Sequence, residues 1–186
     1  MFQSFDNIAE PALAAERIKE LHAHMRKRGL DAYYVPRADE HQGEYVPASS
    51  ERLRWLTGFS GSAGYAVIGL ERAALFVDGR YVVQARTEVD TQIFEILQIP
   101  GKSLKDWAAD ALKPGSSIGF DPWLVTLAQV EQLRKDLARH GIRFKEFAGN
   151  LVDRIWGKAS PHPPTARVQI QPVDLAGETA ADKIKR

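Results

Sequence analysis

The sequence predicts an α/β domain built on a mixed six-stranded sheet with flanking helices. Three observations predict it: helical and strand-like spacings of apolar residues alternate from residue 12 to residue 157, six short apolar runs lie between longer amphipathic ones, and one connection is too short to hold a helix. The chain has 186 residues. At roughly 150 residues per domain, that length corresponds to one domain and a remainder.

The first half of the chain alternates helix and strand signals and ends in a hairpin. Apolar residues three and four apart predict a helix over Ala12–Arg28, which Gly29 ends by supplying left-handed backbone. Ser50 is the predicted cap of a short helix that runs through Leu56 and is closed by Gly58. Three apolar runs predict strands, and the last two form an antiparallel hairpin because four residues cannot hold a crossover helix. These strands are Ala32–Val35, Tyr65–Ile68 and Ala73–Val77.

The second half repeats the alternation. The turn Asp78-Gly79 leads into a helix over Arg80–Val89, and two pairs with capping-box spacing open helices that end at Leu112 and before Gly141. The pairs are Ser103 with Asp106 and Thr126 with Gln129, and the last helix is expected to point Leu127, Val130, Leu133 and Leu137 inward. The remaining strands are Ile93–Leu97, Ile118–Phe120 and Ile142–Phe147, of which the last alternates as a half-exposed strand does.

Composition excludes several classes of function. With 25 Lys+Arg against 24 Asp+Glu, the net charge of +1 supplies no electrostatic reason to bind nucleic acid. The absence of cysteine excludes a disulfide scaffold, a thiolate metal site and a cysteine nucleophile. No apolar run approaches the ~20 residues that cross a bilayer, and Met1–Pro11 lacks the form of a secretory signal. We therefore expect a cytoplasmic protein with no nucleic-acid or membrane partner.

The loop after the first strand contains three types of metal-ligating residue within six positions: Asp39, His41 and Glu44. No regular conformation brings all three together. A polar loop with local hydrogen bonds is therefore favoured, by roughly three to one, over a metal site. A loop presented to a neighbouring domain or subunit fits the same residues.

The glycine-rich segment 58–64 suggests phosphate binding, but it lacks a P-loop ending and a strand, not a helix, follows it. Ser60 and Ser62 do not fit a nucleophile elbow, so a tight backbone passage into the hairpin is the favoured role. His22 and His24 lie about 200° apart on their helix and cannot chelate together. They are expected at the surface, as is His140. Core packing is predicted for Trp55, Trp107, Trp123 and Trp156.

Arg80 follows the Asp78-Gly79 turn at the predicted start of a helix. Three alternatives are open: a salt bridge with Asp78, a solvated helix start, or contact with an anionic partner. The last arises because a positive charge opposes the dipole at a helix N-terminus, and an anion would offset that opposition.

After Trp156 the composition changes. Three prolines in six residues, within 159–164, predict a stiff linker over 158–174. The last twelve residues, 175–186, cannot close a core of their own. Within them, 180–185 repeats the order Ala, Ala, acid, base, Ile, Lys that occurs at 14–19 in the first helix.

Three motifs together resemble the N-terminal domain of Xaa-Pro aminopeptidases, or aminopeptidases P, of the creatinase/prolidase superfamily. In order along the chain they are Asp39-Glu40-His41-Gln42-Gly43-Glu44-Tyr45, the segment from Leu56 to Gly64, and Val77-Asp78-Gly79-Arg80-Tyr81. The resemblance covers about residues 12–157, and Gly43 stands where many relatives carry serine. It implies a mixed six-stranded sheet with a ribonuclease H-like motif.

The resemblance also implies that the chemistry lies outside this chain. Two divalent metals, often manganese, are held in this family by two Asp, one His and two Glu of a C-terminal catalytic domain, so this chain is expected to hold no metal and no catalytic residue. The N-terminal domain is expected to wall the active site, to limit substrate length and to assist dimerisation. His41, Glu44 and Arg80 are expected to face a peptide substrate with proline at its second position.

Larger members of the family carry a second copy of the fold before the catalytic domain, so 1–157 is expected to be a complete domain and 175–186 the start of the second copy. Other hypotheses remain open: the N-terminal domain of a prolidase or a creatinase, a stand-alone binding module, or a small magnesium-dependent nuclease. The nuclease would use Asp39, Asp78 or Asp121.

Overall fold

The computed structural model describes residues 11–186. Residues 1–10, and with them most of the segment Met1–Pro11 that lacks the form of a secretory signal, lie outside the described residues. Six strands form one sheet in the order β4-β3-β2-β1-β5-β6. They are β1 (Ala32–Pro36), β2 (Gly64–Gly69), β3 (Ala73–Asp78), β4 (Phe94–Ile99), β5 (Ser117–Phe120) and β6 (Arg143–Glu146). The predicted mixed six-stranded sheet is confirmed.

Strand β2 is antiparallel to both of its neighbours, β1 and β3, whereas the pairs β1–β5, β3–β4 and β5–β6 are parallel. The predicted hairpin between β2 and β3 is therefore confirmed. The same pattern places the carboxyl ends of five strands at one edge of the sheet, where β2 begins. We call it the carboxyl edge.

Eight α-helices lie among residues 11–186, and the first six pack on the two faces of the sheet. They are α1 (Ala14–Arg26), α2 (Arg52–Thr57), α3 (Val82–Glu88), α4 (Leu104–Ala111), α5 (Leu127–Ala138), α6 (Leu151–Trp156), α7 (Val173–Ala176) and α8 (Ala180–Lys185). Helices α1, α2, α3 and α6 contribute to one hydrophobic cluster, and α4 and α5 to the other. Alternate strand residues divide between the two clusters: Tyr33 faces the first and Tyr34 the second, as the period of two in a strand requires.

Two predicted helix starts are present and a third is wrong. The N–H of Thr126 donates to the Gln129 side chain at 2.9 Å, and the N–H of Ser103 donates to Asp106 at 3.0 Å, so both capping boxes form. Ser50, however, lies in a 3-10 turn and does not cap α2. Glu51 occupies the cap position instead, because the preceding turn extends the chain by one residue before the helix begins.

Other predictions fail where the chain leaves the sheet. Trp123 is 74% exposed and Leu127 is 73% exposed, so the connection after β5 and the outer side of the first turn of α5 lie at the surface. Trp107 and Trp156 are buried as predicted, and Trp55 stacks on Trp156 with ring centroids 5.3 Å apart.

The histidines also differ from one another. His140 is exposed as predicted. His22 is half-buried, with Nε2 2.9 Å from the carbonyl oxygen of Gly69, and burial lowers its pKa. The surface positions predicted for His22 and His24 are thus met only in part, because both residues are partly buried, His22 where α1 lies against the end of the hairpin.

Beyond α6 the chain extends away from the core. Residues 161–172 form no helix or strand, and every residue from 161 to 175 is exposed. Within 11–186, no helix is long and apolar enough to cross a bilayer.

Candidate functional site

The three predicted site residues follow strands that end at the carboxyl edge. Gly64, the first residue of β2, pairs with Val77 of β3 on one side, and its carbonyl accepts the N–H of Arg37 at 3.1 Å on the other. The loops after β1 and β3 therefore flank the glycine-rich segment that enters β2. In open α/β sheets, ligands bind at this kind of edge.

The loop after β1 is organised by the carboxylate of Asp39. This residue is buried, and its Oδ1 accepts the N–H of His41 at 3.0 Å and that of Gly43 at 2.9 Å. The predicted local hydrogen bonds are confirmed. Because the Asp39 carboxylate is occupied by the loop's own backbone, the loop holds the exposed side chains of His41 and Glu44 outward.

Arg37 is a residue of this edge that the sequence analysis missed. Its Nη1 donates to the carbonyl of Glu44 at 3.1 Å, and its Nη2 lies 3.7 Å from Oε1 of Glu51. Burial raises the pKa of Glu51 in spite of that neighbouring cation. The available signal was its position, since Arg37 is the first charged residue after a fully buried strand.

Arg80 is held by Asp78 in a turn that precedes α3. Its Nη2 donates to Oδ2 of Asp78 at 2.6 Å, its backbone N–H donates to Oδ1 at 2.9 Å, and these bonds lower the pKa of Asp78. The salt bridge considered above is thus present, whereas the helix begins two residues later, at Val82. The Arg80 side chain stays 70% exposed, and among residues 11–186 its Nη1 has no hydrogen-bond partner.

The glycine-rich segment is a tight passage, as predicted. A Cβ on Gly61 would lie 2.2 Å from the ring of Phe59, and one on Gly64 would lie 2.7 Å from the Phe76 carbonyl. The serines of the segment are tied to the region of α3: Ser60 donates to Glu88 through both its N–H and its hydroxyl. The hydroxyl of Ser62 lies 2.5 Å from that of Tyr81.

These loops do not assemble a metal centre. Within the part of the chain that the structure describes, no group of three or more His, Asp or Glu side chains could hold a metal ion. The three aspartates of the nuclease hypothesis are each engaged locally, and Asp121 accepts from Asn150 at 3.0 Å and from the N–H of Trp123 at 3.0 Å. The resemblance assigns the dinuclear centre to ligands of a separate catalytic domain, and the described residues of this chain offer no second site for a metal.

Solved structures with this fold define the class: α/β domains at the N-terminus of peptidases. The isolated N-terminal domain of the cytoplasmic peptidase PepQ from Mycobacterium tuberculosis H37Rv is 28% identical, with a TM-score of 0.59 over 75% of this chain and 98% of that one. The family model of the Creatinase/Prolidase N-terminal domain matches residues 17–155, and the chain belongs to this family.

The relatives are Xaa-Pro aminopeptidases, as the motifs predicted. A probable Xaa-Pro aminopeptidase P of Pyrenophora teres f. teres is 39% identical over 173 residues, which cover 90% of this chain and 26% of the relative. The X-prolyl aminopeptidase of Caenorhabditis elegans, described as a cytosolic enzyme with a di-nuclear active site, is 31% identical with a TM-score of 0.82, over 92% of this chain and 30% of that chain. The chain thus spans about a quarter of the length of the curated relatives it matches.

Proposed function

We propose that this chain is the non-catalytic N-terminal domain of a dinuclear-metal Xaa-Pro aminopeptidase, a cytoplasmic hydrolase that removes the N-terminal residue preceding proline. The observation that carries the proposal is the match to the aminopeptidase P relatives, which covers almost all of this chain and only a quarter of theirs. The catalytic domain would hold two metal ions, which we expect to be manganese. When bound, they would polarise the scissile carbonyl.

Within that enzyme, the carboxyl edge would form one wall of the active site and limit substrate length. Asp78 holds Nε and Nη2 of Arg80, while Nη1 stays available, and a charged N–H donor positioned in this way suits a peptide carboxylate or carbonyl. His41 and Glu44, held outward by the Asp39 turn, would border the same space.

Residues 175–186 would begin a second domain of the same fold. In α1, Ala14 and Ile18 are buried, whereas their counterparts in the repeated pattern, Ala180 and Ile184, are exposed in α8. An equivalent sheet would cover them. We further propose that the N-terminal domain contacts an oligomer partner, since the carboxyl edge and neighbouring α3 carry exposed apolar side chains. These are Tyr45, Val83, Trp123 and Leu127.

The test uses the full-length enzyme with Arg80→Ala and, as a matched control, Arg86→Ala on the exposed side of α3. If Arg80 contributes one charge-assisted hydrogen bond to the transition state, kcat/KM for an Xaa-Pro peptide falls by about tenfold or more. The control retains wild-type kinetics. Equal kinetics for the Arg80 variant and wild type would contradict the role of Arg80.

A second measurement separates the domain from the enzyme. The isolated 186-residue chain, supplied with Mn²⁺, is expected to leave an Xaa-Pro peptide intact, while the full-length protein cleaves it. Hydrolysis by the isolated chain would contradict its non-catalytic role.

A further inference from the structure

A groove runs between α5 and the face of the sheet that α5 covers, and it opens at the carboxyl edge. Two adjoining cavities form it, of about 230 and 380 Å³, and they share Tyr34, Tyr65 and Gln129. The inner cavity is also walled by Pro36, Ile99 and Leu124, and the outer one by Ala128, Gln132 and Leu133. We call this feature the tyrosine groove.

The floor of the tyrosine groove is a fixed aromatic surface. The rings of Tyr34 and Tyr65 lie 5.1 Å apart, and Tyr65 stacks on Phe76 at 4.6 Å with an interplanar angle of 15°. The edge of Tyr34 meets Phe144 at 5.8 Å. Rings held by such contacts lose little further freedom when a ligand packs on the part of them that lines the groove.

The hydroxyl of Tyr34 is the unexplained group of the groove. The residue is only 8% exposed, and its hydroxyl has no hydrogen-bond partner among residues 11–186. The adjacent Tyr33 differs, since its hydroxyl accepts the N–H of Leu151 at 3.2 Å. The Tyr34 oxygen is also not among the fully enclosed orphan atoms, which are Arg52 Nη1 and Trp107 Nε1. It therefore remains accessible to a ligand in the groove.

The tyrosine groove is lined by side-chain amides that keep free donors and acceptors, and its charged residues are paired with opposite charges. Asp78 at its mouth is neutralised by Arg80, and Arg37 is paired with Glu51. On the α5 wall, Gln129 uses its oxygen in the helix cap and keeps its NH₂ group. Gln132 uses its NH₂ group on Asp136 and keeps its oxygen. Spare donors and acceptors of this kind match uncharged peptide groups.

The spacing along the groove fits an extended chain. Gln129 and Leu133 are one helical turn apart, about 6 Å by helix geometry, and two residues of polyproline II also span about 6 Å. Proline-rich segments dock in aromatic-lined grooves because they are already extended and lose little entropy. An extended segment of this kind has no internal hydrogen bonds, so its carbonyls can accept from donors of the protein such as the Tyr34 hydroxyl and the Gln129 amide.

We propose that the tyrosine groove binds an uncharged, proline-containing peptide segment in an extended conformation, with the Tyr34 hydroxyl donating to a peptide carbonyl. The choice of proline rests on the proposed function, in which the substrate carries proline. In that enzyme the groove would hold a part of the peptide that lies away from the scissile bond.

The experiment titrates the 186-residue chain with Ac-Ala-Pro-Pro-Ala-Pro-Ala-NH₂, followed by NMR chemical shifts, and compares an all-alanine peptide of equal length. Saturable binding of the proline peptide is expected, with the alanine peptide binding more weakly. Tyr34→Phe removes only the hydroxyl and should weaken binding about fivefold, the effect of one net hydrogen bond. Ala128→Arg should fill the outer cavity and abolish binding.

The control is Ala138→Arg, the same substitution on the same helix but outside the groove, which should bind as wild type does. The proposal is overturned if wild type shows no saturable binding, if the all-alanine peptide binds as tightly as the proline peptide, if Ala128→Arg binds equally well, or if Tyr34→Phe leaves the Kd unchanged. Binding by the isolated chain but not by the full-length protein would also overturn it, since another domain would then cover the groove. The acetylated peptide has no free N-terminus, so this result is independent of whether the full-length protein is an aminopeptidase.

Discussion

At the scale of a residue, two adjacent tyrosines of β1 show that the hydrogen-bond partner of a hydroxyl decides how much stability is lost when that hydroxyl is removed. Tyr33 accepts the buried N–H of Leu151, whereas Tyr34 makes no such bond among the described residues. We expect Tyr33→Phe to lower the free energy of unfolding by about 1–2 kcal/mol, because it orphans a buried donor. Tyr34→Phe should change it by less than about 0.5 kcal/mol. Urea denaturation of both variants measures the difference, and equal losses would contradict this account.

The sequence predicted the exposed residues of the carboxyl edge, but it did not indicate Arg37, which is partly buried. Motif and loop position pointed to His41, Glu44 and Arg80, whose positions facing a substrate stay a prediction. Arg37 carried no motif, because its role depends on Glu51, a residue from another element that no local pattern places beside it. Residues whose partners are distant in sequence are the ones that a single sequence conceals.

At the scale of elements, local sequence patterns predicted which helices and strands exist. Tertiary contacts decided where each of them ends and which of its faces is exposed. Capping boxes at Ser103 and Thr126 were predictable because both partners lie within one helical turn. The exposure of Leu127 was not predictable, since helical spacing alone aligned it with Val130 and Leu137. In the fold Leu127 is exposed whereas Val130 and Leu137 of the same helix are buried, so tertiary contacts and not the spacing decide the exposure of the first turn.

Helices α2 and α6 are joined by an ion pair, and we expect its two partners to contribute unequally to the free energy of unfolding. Arg52 donates to Asp153 through Nε at 2.7 Å and through Nη2 at 3.0 Å, while its Nη1 is buried without a partner. Asp153→Ala should lower the free energy of unfolding by about 1–2 kcal/mol, because it leaves a largely buried cation unpaired. Arg52→Met should lower it by less, since it removes the orphaned nitrogen as well.

A double-mutant cycle in urea checks this prediction. The coupling between Arg52 and Asp153 is expected to be about 1 kcal/mol, in keeping with a pair whose acidic partner is partly exposed. Additive effects of the two substitutions, or a larger loss from Arg52→Met than from Asp153→Ala, would contradict the asymmetry.

At the scale of the whole molecule, the strand order was the least predictable feature. A four-residue connection requires β2 and β3 to pair, but nothing local indicates that β1 lies between β2 and β5. That pairing joins Tyr33 to Gly119, 86 positions further along the chain, and it sets which loops meet at the carboxyl edge. The candidate site could therefore be predicted as a set of loops, but not as one surface.

For the molecule as a whole, the pattern of burial predicts where the stable domain ends. Every residue from 161 to 175 is exposed, whereas Leu151, Val152 and Trp156 of α6 are buried in the core. A chain truncated after Ser160 should therefore unfold at the same urea midpoint as the full 186-residue chain, with a free energy within about 0.5 kcal/mol. Truncation after Asn150 is the matched control, and it should destabilise strongly because each lost core side chain contributes about 1.5–3 kcal/mol. A large loss from the first truncation would show that the tail packs on the domain, in which case 1–157 would not be a complete unit.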